Sequence, residues 1–406
     1  MDILCKRCCG LDVHKKTITG CIITPEGKAI ATFGTMTKDL RALVAWIKEK
    51  GCTHVAMEST GVYWIPVYNL LETENLDVII VNANHIKNVP GRKTDVSDAE
   101  WIADLLRHGL LKGSFIPPRK QRELRELTRY RRSLIGEHTR EVNRIQKVLE
   151  GCNLKLSSVV SRITGTTASL ILKALIHGEI DPEVLASFAK GRLVRKKNEL
   201  MDALNGFIGP HQQKLLALQI DHLEYLEKQI TALDEEIAER LRPFEDDLTR
   251  LDTIPGVGRR TAEDILAEIG SDMSLFPSAQ HLSSWAGMAP GNRQSAGKRK
   301  SGRTTKGNRY LRATLCESAQ AIGRMKPNFL SQQFHRIAAR RGRKRATIAV
   351  GHSILMICYH LLKRKTNYVE LGASFYDQRK EESIVRHVLK RLESLGYAVS
   401  LEKVGA

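Results

Sequence analysis

The apolar pattern changes period once along the chain, and that change limits what the chain can build. Runs rich in β-branched residues at Cys9 to Val13, Thr17 to Thr24, Ala29 to Phe33, His54 to Met57 and Val78 to Val81 read as strands. The last two are short and apolar enough to be buried parallel strands. Helical patterns lie between them at Leu40 to Lys48 and Trp64 to Leu71, and a third follows at Val96 to Leu106. From about residue 120 the period is helical. Leu216, Leu223, Leu226, Ile230, Leu233 and Ile237 recur at spacings of seven, three and four, a heptad seam that Pro243 ends. The seam fits a coiled coil or a helical hairpin, closed either within one chain or between two copies.

Three strands, then helix, strand, helix, strand, helix is the order expected of a ribonuclease-H-like domain. There a three-stranded meander is extended by two parallel crossovers. The fold class is therefore α/β plus α, with an N-terminal α/β domain over 1–115, a helical linker and coiled coil over 116–246, and a basic, mostly helical domain over 247–406. A chain of 406 residues is long enough for each to bury its own core. Apolar residues make up 42% and charged residues 27%, and no run approaches the ~18 uncharged apolar residues of a membrane span. The most apolar late run, Ile348 to Leu362, contains His352 and His360, and Asp2, Lys6 and Arg7 interrupt the start. A cytoplasmic protein with no membrane partner is expected.

Net charge is +19, from 64 Lys and Arg against 45 Asp and Glu. Residues 1–108 and 109–284 are each close to neutral, whereas 285–345 carry 16 basic residues and one acid, Glu317. Such a block repels itself unless a polyanion neutralises it, and nucleic acid is the commonest partner. Within it, 285–312 hold five glycines, Pro290, two serines and eight basic residues: Arg293, Lys298, Arg299, Lys300, Arg303, Lys306, Arg309 and Arg312. A serine hydroxyl ringed by cations that stabilise its alkoxide and grip a phosphodiester becomes a plausible nucleophile. Ser295, followed by Ala-Gly-Lys, is the preferred candidate and Ser301 the alternative. On composition alone, a phosphate-gripping loop with incidental serines is an equal reading.

Four carboxylates form a second constellation. Asp12 lies on the first strand, Glu58 ends the fourth, and Asp95 and Asp98 open the third helix at a spacing that shares one face. In the expected topology the first and fourth strands are neighbours and that helix crosses their ends. Converging acids repel one another unless a cation compensates them. Their hard oxygens suit Mg²⁺ or Mn²⁺. His14, Lys15 and Lys93 are nearby candidates for phosphate contact.

Other signals are weaker. Ile254-Pro-Gly-Val-Gly opens an amphipathic helix, with Gly256 and Gly258 permitting close backbone approach to a phosphate, as in a helix-hairpin-helix element; a plain interhelical turn is the alternative. Arg340, Arg341 and Arg343 lead a dense cluster suited to nucleic acid, while the arginines of 119–132 fit a phosphate-tracking helix or a solvated face with i, i+3 and i, i+4 pairs equally well. Tyr310 and Trp285 read as parts of a small core rather than as base-stacking platforms. Cys5, Cys8 and Cys9 have no second ligand pair at finger spacing and read as strand residues rather than a zinc site.

The Gly10-Leu-Asp-Val-His-Lys start, Glu58-Ser-Thr-Gly, Lys93-Thr-Asp-x-x-Asp-Ala, the Ile-Pro-Gly-Val-Gly turn and the Pro-Gly-x-x-x-Ser-x-Gly-Lys block occur in that order. Together they closely resemble the DEDD transposases of the Piv invertase and one-hundred-ten insertion-sequence family. The Ser-Ala-Gly-Lys block and long helical middle look most like its one-eleven-eleven subgroup. The resemblance implies a RuvC-like nuclease domain with a tetrad matched by Asp12, Glu58, Asp95 and Asp98, and a transposase domain with a nucleophilic serine matched by Ser295. It further implies a bacterial homo-oligomer, dimer or tetramer, whose composite centres cut and rejoin DNA through a phosphoserine link. An element-encoded guide RNA would pair with the DNA. The rival readings are a RuvC-like structure-specific nuclease that uses water, and a non-catalytic DNA-binding regulator.

Overall fold

The period-two runs of the N-terminal part form β1 (Cys8–Val13), β2 (Thr17–Thr24), β3 (Gly27–Gly34), β4 (His54–Glu58) and β5 (Asp77–Val81), in one sheet of order β3-β2-β1-β4-β5. Tight turns make β1–β2 and β2–β3 antiparallel, with the His14 amide donating to Thr17 O at 2.9 Å across the first turn. β4 and β5 join in parallel because α1 (Thr37–Glu49) and α2 (Trp64–Thr73) return the chain between strands. The computed structural model describes residues 3–82, 95–291, 293–295, 298–378 and 381–400, and divides the chain into two compact units, Met1–Pro117 and Pro118–Ala406.

Both faces of the sheet are covered. Cys9, Leu11, Val55 and Met57 pack against Leu43 and Ile47 of α1 and Leu71 of α2. On the other face Cys8, Cys21, Ala56 and Val81 meet Ala99, Ile102 and Ala103 of α3 (Asp95–Arg107). Cys8 and Cys9 thus enter separate cores, as strand alternation requires, and burial pushes the Cys8 thiol up to about 12.

In the second unit α4 (Arg119–Gly151) runs against α6 (Pro210–Leu241), with α5 (Thr166–Ile176) between them in sequence. The pair is antiparallel: Arg131 meets Asp234 at 2.9 Å, His138 meets Glu227 at 3.1 Å and His222 meets Glu141 at 3.3 Å. The heptad seam lies in this unit, with Leu216, Leu223, Leu226 and Ile237 buried and Ile230 and Leu233 half-buried. At the end of the pair where the chain crosses from α4 to α6, Ile171, Leu172 and Leu175 of α5 join Ile145, Leu149, Leu216 and Ile220 in one core. α7 (Arg259–Ile269), α8 (Arg309–Ile322), α9 (Phe329–Arg341) and α10 (Arg343–Arg364) follow. By length and composition α10 is apolar enough to cross a membrane, but Val350, Ile354, Leu355 and Cys358 are fully buried and make it the core helix of this region.

Buried charge fastens α4 to α7. Arg131 is 1% exposed and donates to Glu263 at 2.6 Å, Asp264 at 2.8 Å and Asp234 at 2.9 Å. Arg125 donates to Ala267 O at 3.2 Å, and Arg129 grips Glu268 through two bonds of 2.7 and 2.8 Å. Arg125, Arg129 and Arg131 are therefore neither a free phosphate-tracking row nor a solvated face with local pairs: their partners lie more than 100 residues away in sequence, beyond the reach of helical spacing. Arg131→Met removes the buried cation shared by Glu263, Asp264 and Asp234, and removing one member of a buried ion network costs about 3–5 kcal/mol. The expected readout is a lower denaturant midpoint at unchanged m-value; a midpoint equal to the parent's refutes the network.

Candidate active site

The acidic residues sit where strand register and helix packing put them. Leu11 pairs with Met57 across the parallel β1–β4 ladder, so the next residues, Asp12 and Glu58, stand side by side at the carboxyl ends of neighbouring strands. They alternate onto the same face as Cys8 and Ala56, which is the face under α3. Gly10 sets the height of that helix: a Cβ there would lie 2.3 Å from Ala99 O and 2.4 Å from Ala103 N. Backbone rests on backbone, which only glycine allows. Asp95 is one helical turn before Ala99, and Asp98 is the adjacent position, half-buried.

Asp12 is mostly covered, its side chain 15% exposed, and its Oδ2 lies 3.0 Å from Nε2 of the exposed His14. The donor set is all oxygen, which fits a hard divalent cation. Among the described residues no three His, Cys, Asp or Glu side chains already stand as a metal cage. The side chain of Asp95, and Lys93 altogether, lie outside the described residues.

In the second unit the basic block folds as a hairpin, β6 (Arg293–Ser295) and β7 (Lys298–Ser301), with Ser295 paired to Lys298 beside the turn. The side chains of Arg293, Ser295, Lys298, Arg299, Lys300 and Ser301 lie outside the described part. Below the hairpin, Gly291 N donates to Arg303 O at 3.0 Å and Pro290 bridges Thr304. Lower still Gly307 lies so close to Gly287 that a Cβ would fall 2.2 Å from its amide nitrogen. Arg303, Lys306 and Arg309 are exposed, and Arg309 lies over the Tyr310 ring at 4.8 Å. Arg312, expected at nucleic acid, has Nη1 engaged by Gly287 O at 3.2 Å and Thr304 Oγ1 at 2.8 Å. Sequence reasoning missed that inward role because the two acceptors lie 25 and 8 residues away.

The Ile-Pro-Gly-Val-Gly turn does join two helices, Glu245–Asp252 and α7. Gly256 has φ +77, and a Cβ would strike Ile322 of α8 at 2.5 Å, so the protein's own packing accounts for this glycine. Gly258 faces open space. The arginines beside it are already neutralised, Arg259 by Glu245 and Glu263 and Arg260 by Asp234. Arg340, Arg341 and Arg343 are exposed, and Arg343 lines a groove of about 540 Å³ with Arg312, Arg324 and Lys344. Trp285 and Tyr310 are half-buried beneath Arg125 and Arg129, as core-completing aromatics.

Two family models match the chain, a DEDD transposase model of the IS110 type over residues 9–154 and a transposase IS116/IS110/IS902 family model over residues 248–333. The transposase for insertion sequence element IS1111A of Coxiella burnetii is 25% identical, aligned over 88% of this chain and 90% of its own length. The pilin gene-inverting protein of Moraxella lacunata is 25% identical over 87% of this chain and 95% of its own. An uncharacterised 43.6 kDa protein of insertion element IS110 from Streptomyces coelicolor is 27% identical, at 88% and 94%.

Gly10→Ala tests the helix placement. The added methyl meets main-chain atoms that cannot rotate away, and overpacking of this kind costs about 1–3 kcal/mol. A lower melting midpoint is expected; a variant that melts with the parent refutes the close approach.

Proposed function

The chain belongs to the IS110 family of transposases, and from that membership we propose that it moves an insertion sequence by cutting DNA with Ser295 as nucleophile and a metal-dependent site of Asp12, Glu58, Asp95 and Asp98. The observation that carries this reading is the in-register placement of Asp12 and Glu58 beneath the helix that bears Asp95 and Asp98. The first unit, with a three-stranded meander, two parallel crossovers and a helix across the acidic edge, is read as RuvC-like. The antiparallel pair of long helices is read as a coiled coil.

The four carboxylates would hold Mg²⁺ or Mn²⁺, which when bound supplies Lewis-acid stabilisation of charge on the phosphoryl oxygens. The Ser295 hydroxyl loses its proton as Oγ bonds to phosphorus; the P–O bond to one DNA strand breaks, and the released hydroxyl takes up a proton. The resulting phosphoserine diester keeps the bond energy for rejoining without ATP. Arg293, Lys298, Arg299, Lys300, Arg303, Lys306 and Arg309 neutralise the phosphodiester during that exchange. Arg340, Arg341, Arg343 and the amide end at Gly258 are read as further backbone contacts.

The cationic hairpin and helices also suit an element-encoded guide RNA, held through its backbone while base pairing selects the DNA. The working form is proposed as a cytoplasmic homo-oligomer, dimer or tetramer, in which one subunit's carboxylates and another's serine act on one phosphate.

Incubating the protein and its RNA with end-labelled element DNA and Mg²⁺, then denaturing, should leave DNA covalently attached to protein. Ser295→Ala should abolish the adduct and Ser301→Ala should retain it. Cleavage that persists in Ser295→Ala points instead to hydrolysis by water. Glu58→Gln should slow cleavage at least ~100-fold with DNA binding intact, from the charge stabilisation it removes. EDTA should abolish cleavage and Mn²⁺ restore it; activity indifferent to EDTA overturns the metal assignment.

A further inference from the structure

The Ser295 hairpin stands on a stalk whose foot is tied at two points. At one, Asn308 uses both ends of its amide. Its Oδ1 caps α8 by accepting from the Tyr310 and Leu311 amides, each at 3.1 Å, while its Nδ2 donates to Glu268 Oε2 at 2.6 Å. Glu268 is 2% exposed and is itself fixed by the paired bonds from Arg129. At the other, Arg312 spans the two arms of the stalk through Gly287 O and Thr304 Oγ1. A carboxylate this deeply buried and already paired has little to offer a ligand. It is well suited to hold Asn308, and with it the end of the returning arm.

We infer that Glu268, Asn308 and Arg312 are positioning residues that fix the angle of the serine hairpin for attack. The inference rests on Ser295 being the nucleophile. A short two-stranded hairpin is marginally stable by itself and must borrow its direction from what anchors it. Attack requires near-linear approach of oxygen to phosphorus, and a misplacement of ~1 Å can cost about 100-fold in rate. Three side chains that lock both arms to α7 and α8 therefore act on the chemical step rather than on binding.

Two mild variants isolate the ties. Asn308→Ser keeps a helix cap but loses the donor to Glu268. Thr304→Val keeps shape but removes an acceptor for Arg312. With full-length protein, its RNA and labelled DNA, the single-turnover rate of adduct formation should fall about 10- to 100-fold in each. Nucleic-acid Kd should stay at the parent value and each variant should remain fully folded at the assay temperature, even where the lost bond to buried Glu268 lowers the melting midpoint, a split that a merely structural defect does not give. Parent adduct rates in Asn308→Ser and Thr304→Val overturn the inference, as do rates that fall only in step with affinity or with the folded fraction at the assay temperature. Ser295→Ala runs alongside: an adduct that survives it removes the nucleophile assignment and the positioning role together, whereas adduct loss in Ser295→Ala with parent rates in the tie variants removes the positioning role alone.

Discussion

The contact between Gly10 and the backbone of α3 governs the N-terminal unit. A helix normally stands off a sheet by the length of two side chains; here Ala99 and Ala103 meet a residue that has none, and the helix drops onto β1. Everything proposed for the acidic edge follows from that height. Asp12 lies two residues beyond Gly10, on the same face, and the first turn of α3 carries Asp95 and Asp98. A bulkier residue at 10 would lift the helix and separate the two pairs of acids while leaving strand order intact.

The C-terminal unit is held by a different force. Its long helices carry too many charged residues for an apolar seam alone, and Arg125, Arg129 and Arg131 are spent on Glu263, Asp264, Asp234 and Glu268. The same Glu268 then reaches Asn308 at the foot of the hairpin. One buried acid thus serves both the packing of α4 on α7 and the footing of the loop that carries Ser295. Charge that looked available for nucleic acid is divided by this packing: Arg125, Arg129 and Arg131 turn to buried acids, while Arg119, Arg340, Arg341 and Arg343 remain exposed.

Strand order, the helical second half and the pairing of the early acids were legible in the chain because alternation and helical spacing are local and each strand is short. The fate of the basic residues was not. An arginine in a helix has the same spacing whether its partner is a phosphate or a carboxylate more than 130 residues away, as between Arg131 and Glu263. Gly256 shows the same limit: its sequence context fits close approach to DNA, yet Ile322 of α8 occupies that space.

The sequence by itself determined the strand and helix order of the N-terminal part and the ordered motifs that match a transposase family, since these reside in local pattern. Only the tertiary structure decided which cations are consumed by the fold, why Gly10 must be glycine, and that Asn308 and Arg312 brace the serine hairpin. Those facts depend on atoms brought within about 3 Å from distant parts of the chain, and hydrogen bonding at that range follows geometry that no spacing rule encodes.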